Sequence, residues 1–200
     1  VPDNKLRAAL PKGGAARQPG TDGIWTFVFI DMIVFSLFFI VYLSERLRLP
    51  DLFAASQAYL DPNFGLINAL ILLTSSLFVA EAVAAARLGS VRQVSARLTL
   101  ALVCGALFAA SKLTEYSGKF AAGITPVTNS FYSFYFLLTF IHSLHVLAGM
   151  VFIGHCLARA GAEGARPGYL VKLENTGLFW HFVDLLWLFL FPLLYLAGLP

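Results

Sequence analysis

Six ionisable side chains lie inside long apolar runs of this chain: Asp31, Glu81, His142, His145, His181 and Asp184. Lys112 and Glu115 lie three residues apart towards the end of a further run, and Lys119 follows Glu115 by four. Carboxylates and imidazoles in apolar surroundings handle protons, ligate metal or haem, or hydrogen-bond between helices and fix packing. His142 and His145, three apart, occupy neighbouring positions on one helix face. Either could pair with His181 across a haem, and both with Asp184 could make a metal corner, but His142 and His145 are expected as structural residues that make packing hydrogen bonds. Four histidines in all leave room for at most one axial pair, and there is no CxxCH for covalent attachment. For Asp31 and Glu81, proton handling and interhelical hydrogen bonding stand equally open. Lys112, Glu115 and Lys119 read as a structural, ion-paired cluster. His155, near the end of its run, reads as interfacial.

The elements that carry these groups follow from composition. The 200 residues are 58% hydrophobic and 12% charged, and the mean hydropathy is +0.77. A soluble domain carries about 45–50% apolar and about 25% charged residues. A water-soluble enzyme, a secreted disulfide scaffold and a disordered tail are therefore excluded. Cys104 and Cys156 sit singly in apolar runs and read as small buried hydrophobes. A net charge of +3, dispersed along the chain, is too small for nucleic acid.

About 20 mostly apolar residues cross the hydrocarbon of a bilayer, and five such runs are present. They are Ile24 to Ser44, Phe64 to Ala86, Leu98 to about Tyr116, Phe131 to Ala158 and Thr176 to Leu199. Backbone groups in lipid must be satisfied internally, so the runs are helices and the fold is an all-α membrane bundle. Residues 1–23, rich in Gly, Ala, Pro and basic residues, read as a flexible tail before a transmembrane domain over 24–200. Pro50 and Pro62 bracket a short surface helix, and Gly161 to Gly168 reads as a flexible loop.

Basic residues orient the bundle. The tail and the loops after the second and fourth runs hold Lys5, Arg7, Lys12, Arg17, Arg87, Arg92, Arg97, Arg159, Arg166 and Lys172. The opposite side holds Arg46, Arg48 and Lys119. The amino terminus is thus expected in the cytoplasm of a plasma-membrane protein, with the carboxyl terminus outside. At about 1.5 Å per residue, this orientation puts Asp31, Glu81, His181 and Asp184 together in the inner leaflet. No lysine or arginine lies within a helical turn of Asp31. Hydrocarbon disfavours a charged carboxylate, so Asp31 is expected to hold a proton unless a histidine such as His181 pairs with it.

The last two runs carry a resemblance. Phe179-Trp-His-Phe-Val-Asp-Leu-Leu-Trp-Leu-Phe-Leu190 closely follows the WHFVDxxWLFL signature of subunit III of the haem-copper respiratory oxidases. Phe140-Ile-His-Ser-Leu-His-Val-Leu-Ala-Gly149 is similar to that family's FHxxHVxxG segment, and Glu115-Tyr116 to its EY pair. Asn68 with Ser75-Ser76 resembles its N…SS pattern, and Asp31 falls where the family carries a buried carboxylate, usually Glu.

The resemblance implies an integral subunit without redox centres that packs on a catalytic subunit holding haem with copper or iron. There it supports proton uptake and stability in an electron transport chain. The family's matching carboxylate reacts with apolar carbodiimides, which implies the same for Asp31. Full-length members have seven spans, and the first two form one wall of a lipid-holding cleft. The five-span length resembles forms associated with nitric oxide reductases. From the residues alone, a proton-coupled transporter and a small haem-binding cytochrome remain the competing readings.

Overall fold

The computed structural model describes residues 18–163 and 167–196. The expected tail falls mostly on residues 1–17, outside the described residues. The helices are α1 (Asp22–Arg48), α2 (Pro50–Gln57), α3 (Pro62–Arg87), α4 (Val91–Ala121), α5 (Ser130–Glu163) and α6 (Pro167–Phe191). A π-helical turn, Pro192–Leu196, closes the described chain. No strand occurs among the described residues. Five helices are long and apolar enough to cross a membrane, so the all-α five-span bundle is the observed fold.

Local chemistry sets the helix ends. Asp61 caps α3 by accepting the Asn63 N–H at 2.9 Å, with Pro62 at the first helical position. Asn129 does the same for α5, accepting the Tyr132 N–H at 3.0 Å. The surface helix between Pro50 and Pro62 is present as α2, which buries Phe53, Ser56 and Gln57.

Three boundaries differ from the sequence reading. The spans are longer than their apolar runs, because polar turns continue the helices beyond hydrocarbon; α4 begins seven residues before Leu98 and ends at Ala121. Gly161 to Glu163 form the last turn of α5, not a loop. Arg159 and Lys172 hold Glu163 at 2.8 and 3.2 Å and fasten that turn. α6 begins at Pro167 rather than Thr176, and its regular part ends at Phe191. Pro192 lacks the N–H that would continue the ladder, and the chain widens there into the π turn.

α6 is the central helix, packed on α3, α5 and α1. Its Trp180 and Trp187 are fully buried. Gly149 of α5 lets the Trp180 ring approach its backbone; a Cβ there would lie 2.5 Å from the ring. The rim where α1 begins also carries Arg87 and Glu163, and is called here the Arg87 rim. The opposite rim carries α2 and the π turn.

Candidate functional site

Asp31 of α1 and His145 of α5 meet in the membrane-spanning part of the bundle, with Nε2 3.2 Å from Oδ2. His145 Nδ1 lies 2.8 Å from the Ile141 carbonyl. A carbonyl only accepts, so Nδ1 carries a hydrogen and Nε2 is the atom offered to Asp31. A favourable Nε2–Oδ2 contact then needs one proton between the two groups, on the ring or on the carboxyl. Phe35 and Phe179 stand against the imidazole, with centroids 5.6 and 6.3 Å away. The pair is 16–18% exposed, so it is shielded without being sealed. His145, expected as a structural residue, is thus the partner of Asp31 in place of His181.

Of the four groups expected together in one leaflet, His181 and Asp184 meet at Ser76, while Asp31 and Glu81 face other neighbours. Glu81 pairs with Arg97 of α4 at 3.1 Å, and both are about two-fifths exposed. His181 Nδ1 is hydrogen-bonded to the Ser76 hydroxyl of α3. Asp184, about one turn along α6, is buried and stands against the same Ser76 hydroxyl. The reason is rotational: residues at similar depth on different helices face different neighbours. Depth can be counted along a run, but facing direction follows from packing.

Near the other rim, Lys112 and Glu115 form an ion pair at 2.8 Å, with side chains 3% and 7% exposed. Tyr135 of α5 and Tyr195 of the π turn each donate to Glu115 Oε1 at 2.7 Å. Lys112 donates to the Tyr195 hydroxyl at 3.1 Å. The ammonium also lies 5.2–5.8 Å from the ring centroids of Tyr116, Tyr135, Trp187 and Tyr195, within cation–π range. Lys119 does not join the cluster as expected. It donates to the Tyr59 carbonyl at 2.6 Å and ties α4 to the end of the α2 segment.

His142 is fully buried between Phe108 and Trp187, with centroids 5.5 and 5.1 Å away, and neither ring nitrogen has a hydrogen-bond partner. The three intramembrane histidines therefore face different neighbours: α4 and α6 for His142, α1 for His145, α3 for His181. Among the described residues no three His, Cys, Asp or Glu side chains converge as a metal-binding group. His155 lines a small cavity with Lys172 and Asn175 near the Arg87 rim.

The arrangement combines five long apolar helices, a carboxylate–imidazole pair within them, and the signature residues of α5 and α6 packed on one another. The family model for cytochrome c oxidase subunit III matches residues 17–199. The chain belongs to that family. Among curated subunit III proteins, it is 29% identical over 177 residues to quinol oxidase subunit 3 of Bacillus subtilis, covering 88% of this chain and 86% of the relative. Similarity to the cytochrome bo(3) ubiquinol oxidase subunit 3 of Pseudomonas aeruginosa is 28% over 176 residues, covering 88% and 84%. Cytochrome c oxidase subunit 3 of Corynebacterium diphtheriae is 28% identical over 196 residues, covering 96% of each chain.

Within this subunit III chain, sequence reasoning missed Tyr42 and Gln57. Gln57 Nε2 donates to the carbonyls of Leu193 and Leu194 at 3.0 and 3.2 Å, and the Tyr42 hydroxyl donates to Leu193 at 3.1 Å. They supply donors to carbonyls that a helix end leaves orphaned. Pro192 gives no signal for them, because a proline frees the carbonyl about four residues before it, whereas Leu193 and Leu194 follow it.

Proposed function

We propose that this chain is the non-catalytic subunit III of a haem-copper terminal oxidase or nitric oxide reductase, in which it supports proton uptake and stability. It packs on a catalytic subunit that holds the haem with copper or iron, and it contributes no redox centre of its own. Family membership and the subunit III names of its relatives support the accessory role. The relatives named quinol oxidase and cytochrome c oxidase favour an oxygen-reducing partner.

The observation that supports the proton-handling part is the Asp31–His145 contact, a carboxyl oxygen 3.2 Å from an imidazole nitrogen within the spans. The pair buffers protons near the partner's uptake route without lying on an obligatory path. His181 with Asp184 forms a second polar group on α6, while Glu81, already paired with Arg97, is the weakest candidate. Lys112, Glu115 and His142 serve packing. The excess of basic residues on the Arg87 rim supports an orientation with that rim in the cytoplasm and the π turn outside the plasma membrane. Membrane lipid fills the open grooves between helices.

The test uses the purified complex. Asp31→Asn should leave subunit III in the complex, lower turnover modestly and slow proton uptake. Unchanged proton uptake in Asp31→Asn and in His145→Phe would remove the pair from the proposal and leave the accessory role standing.

A further inference from the structure

α4 and α5 pack on one another, and between them a cavity of about 740 Å³ opens on the bundle surface. Only these two helices and Pro126 of their connecting loop line it. Its walls run from Phe120 to Phe108 on α4 and from Ser133 to Leu147 on α5, about 18 and 21 Å of helix. One leaflet of hydrocarbon is about 15 Å deep. The cavity therefore runs the full depth of the leaflet on the π-turn side.

Four polar residues stand in these walls, and each turns its polar atom to the protein. Lys112 holds Glu115 at 2.8 Å, and the Tyr116 hydroxyl shares a hydrogen bond of 2.6 Å with that of Thr139. Ser133 donates to the Pro126 carbonyl at 2.6 Å, and Ser143 to the Thr139 carbonyl at 2.7 Å. What faces the cavity is carbon.

Width decides between apolar occupants. Over about 20 Å of length, the volume gives a mean cross-section of about 37 Å². An α-helix 10 Å across occupies about 80 Å², so a partner's helix is too wide to enter. Walls of carbon offer water no hydrogen bonds. Flexible hydrocarbon chains fit both the depth and the width.

We propose that this cavity binds the acyl chains of one phospholipid from the π-turn leaflet, with its headgroup at the mouth beside Pro126 and Ser133. The proposal rests on the membrane-subunit reading above and gives one lipid a defined seat between α4 and α5. The bound chains lie along the stem of Lys112, which lines the cavity. They keep water from the Lys112–Glu115 pair, so the lipid becomes part of that pair's surroundings.

The test uses the intact complex in mild detergent, with p-benzoylphenylalanine in place of Phe140, a cavity-lining residue that is 54% exposed. Illumination should add the mass of one phospholipid to the peptide that holds residue 140. Ala109→Phe fills the cavity from α4 and Ser143→Leu narrows it from α5; each should reduce the adduct several-fold. Capture of detergent, a partner subunit or a second copy in place of phospholipid would overturn the proposal. So would no adduct at all, or an adduct undiminished in both filled variants. Loss of the catalytic subunit from the purified complex would instead remove the accessory role, because the lipid adduct is read on this chain itself.

Discussion

Glu115 Oε1 accepts hydrogen bonds from Tyr135 and Tyr195 at the same distance, 2.7 Å. One carboxylate oxygen thus joins α4, α5 and the π turn, while its other oxygen holds Lys112 at 2.8 Å. A buried pair of this kind needs its surrounding hydrogen bonds to offset the loss of hydration.

Removing one member of that pair leaves an uncompensated charge. Lys112→Met or Glu115→Leu alone should each destabilise the subunit by about 3–5 kcal/mol. The double variant should be closer to the parent than either single one. Thermal dissociation of the subunit from the purified complex reads this directly, and additive losses in the double variant would contradict it.

Gly149→Ala puts a methyl into the Trp180 ring, and overpacking of this kind costs about 1–3 kcal/mol. Gly154→Ala is the control on the same helix, because nothing lies within 4 Å of its added Cβ. Equal thermal stability of the two variants would show that Trp180 moves aside freely.

Gln57→Leu removes the side-chain donor of the Leu194 carbonyl and leaves Leu193 with the Tyr42 hydroxyl alone. A buried acceptor left unsatisfied costs about 1–3 kcal/mol. The effect should be local, seen as faster amide exchange across residues 193–196 with little change in α3 or α4.

Asp31 should react with an apolar carbodiimide at neutral pH, since that reagent needs a protonated carboxyl. Peptide mass spectrometry locates the adduct. Labelling of Glu81 or Asp184 with Asp31 untouched would move the proton-holding role to another helix.

Reporter fusions after residues 60, 92, 125 and 168 should alternate outside, inside, outside, inside. A fusion after residue 200 should report outside. An inside-active fusion at residue 200 would reverse the orientation drawn from the basic residues.

The spans were legible because lipid imposes a length and a composition, and both can be counted along the chain. The Lys112–Glu115 pair was legible as well, because three residues on a helix make one face. Lys119 was misplaced for a related reason: its long stem let the ammonium reach the Tyr59 carbonyl instead. The choice of His145 over His181 for Asp31 depends on how α1 lies against α5 and α6, and no local spacing encodes that.

α1 packs on α5 and α6, and on its chain neighbour α2 through Tyr42 and Phe53. Its ties run from the Thr21 N–H to Asn175 at 2.9 Å, through Asp31 to His145, to the Tyr42 hydroxyl at Leu193. These partners belong to α5, α6 and the π turn, all of which follow α1 in the chain. α1 therefore gains most of its contacts only after those segments are inserted, while α3 and α4 form their own hairpin. Truncation within α6 should accordingly loosen α1 while leaving the α3–α4 pair intact.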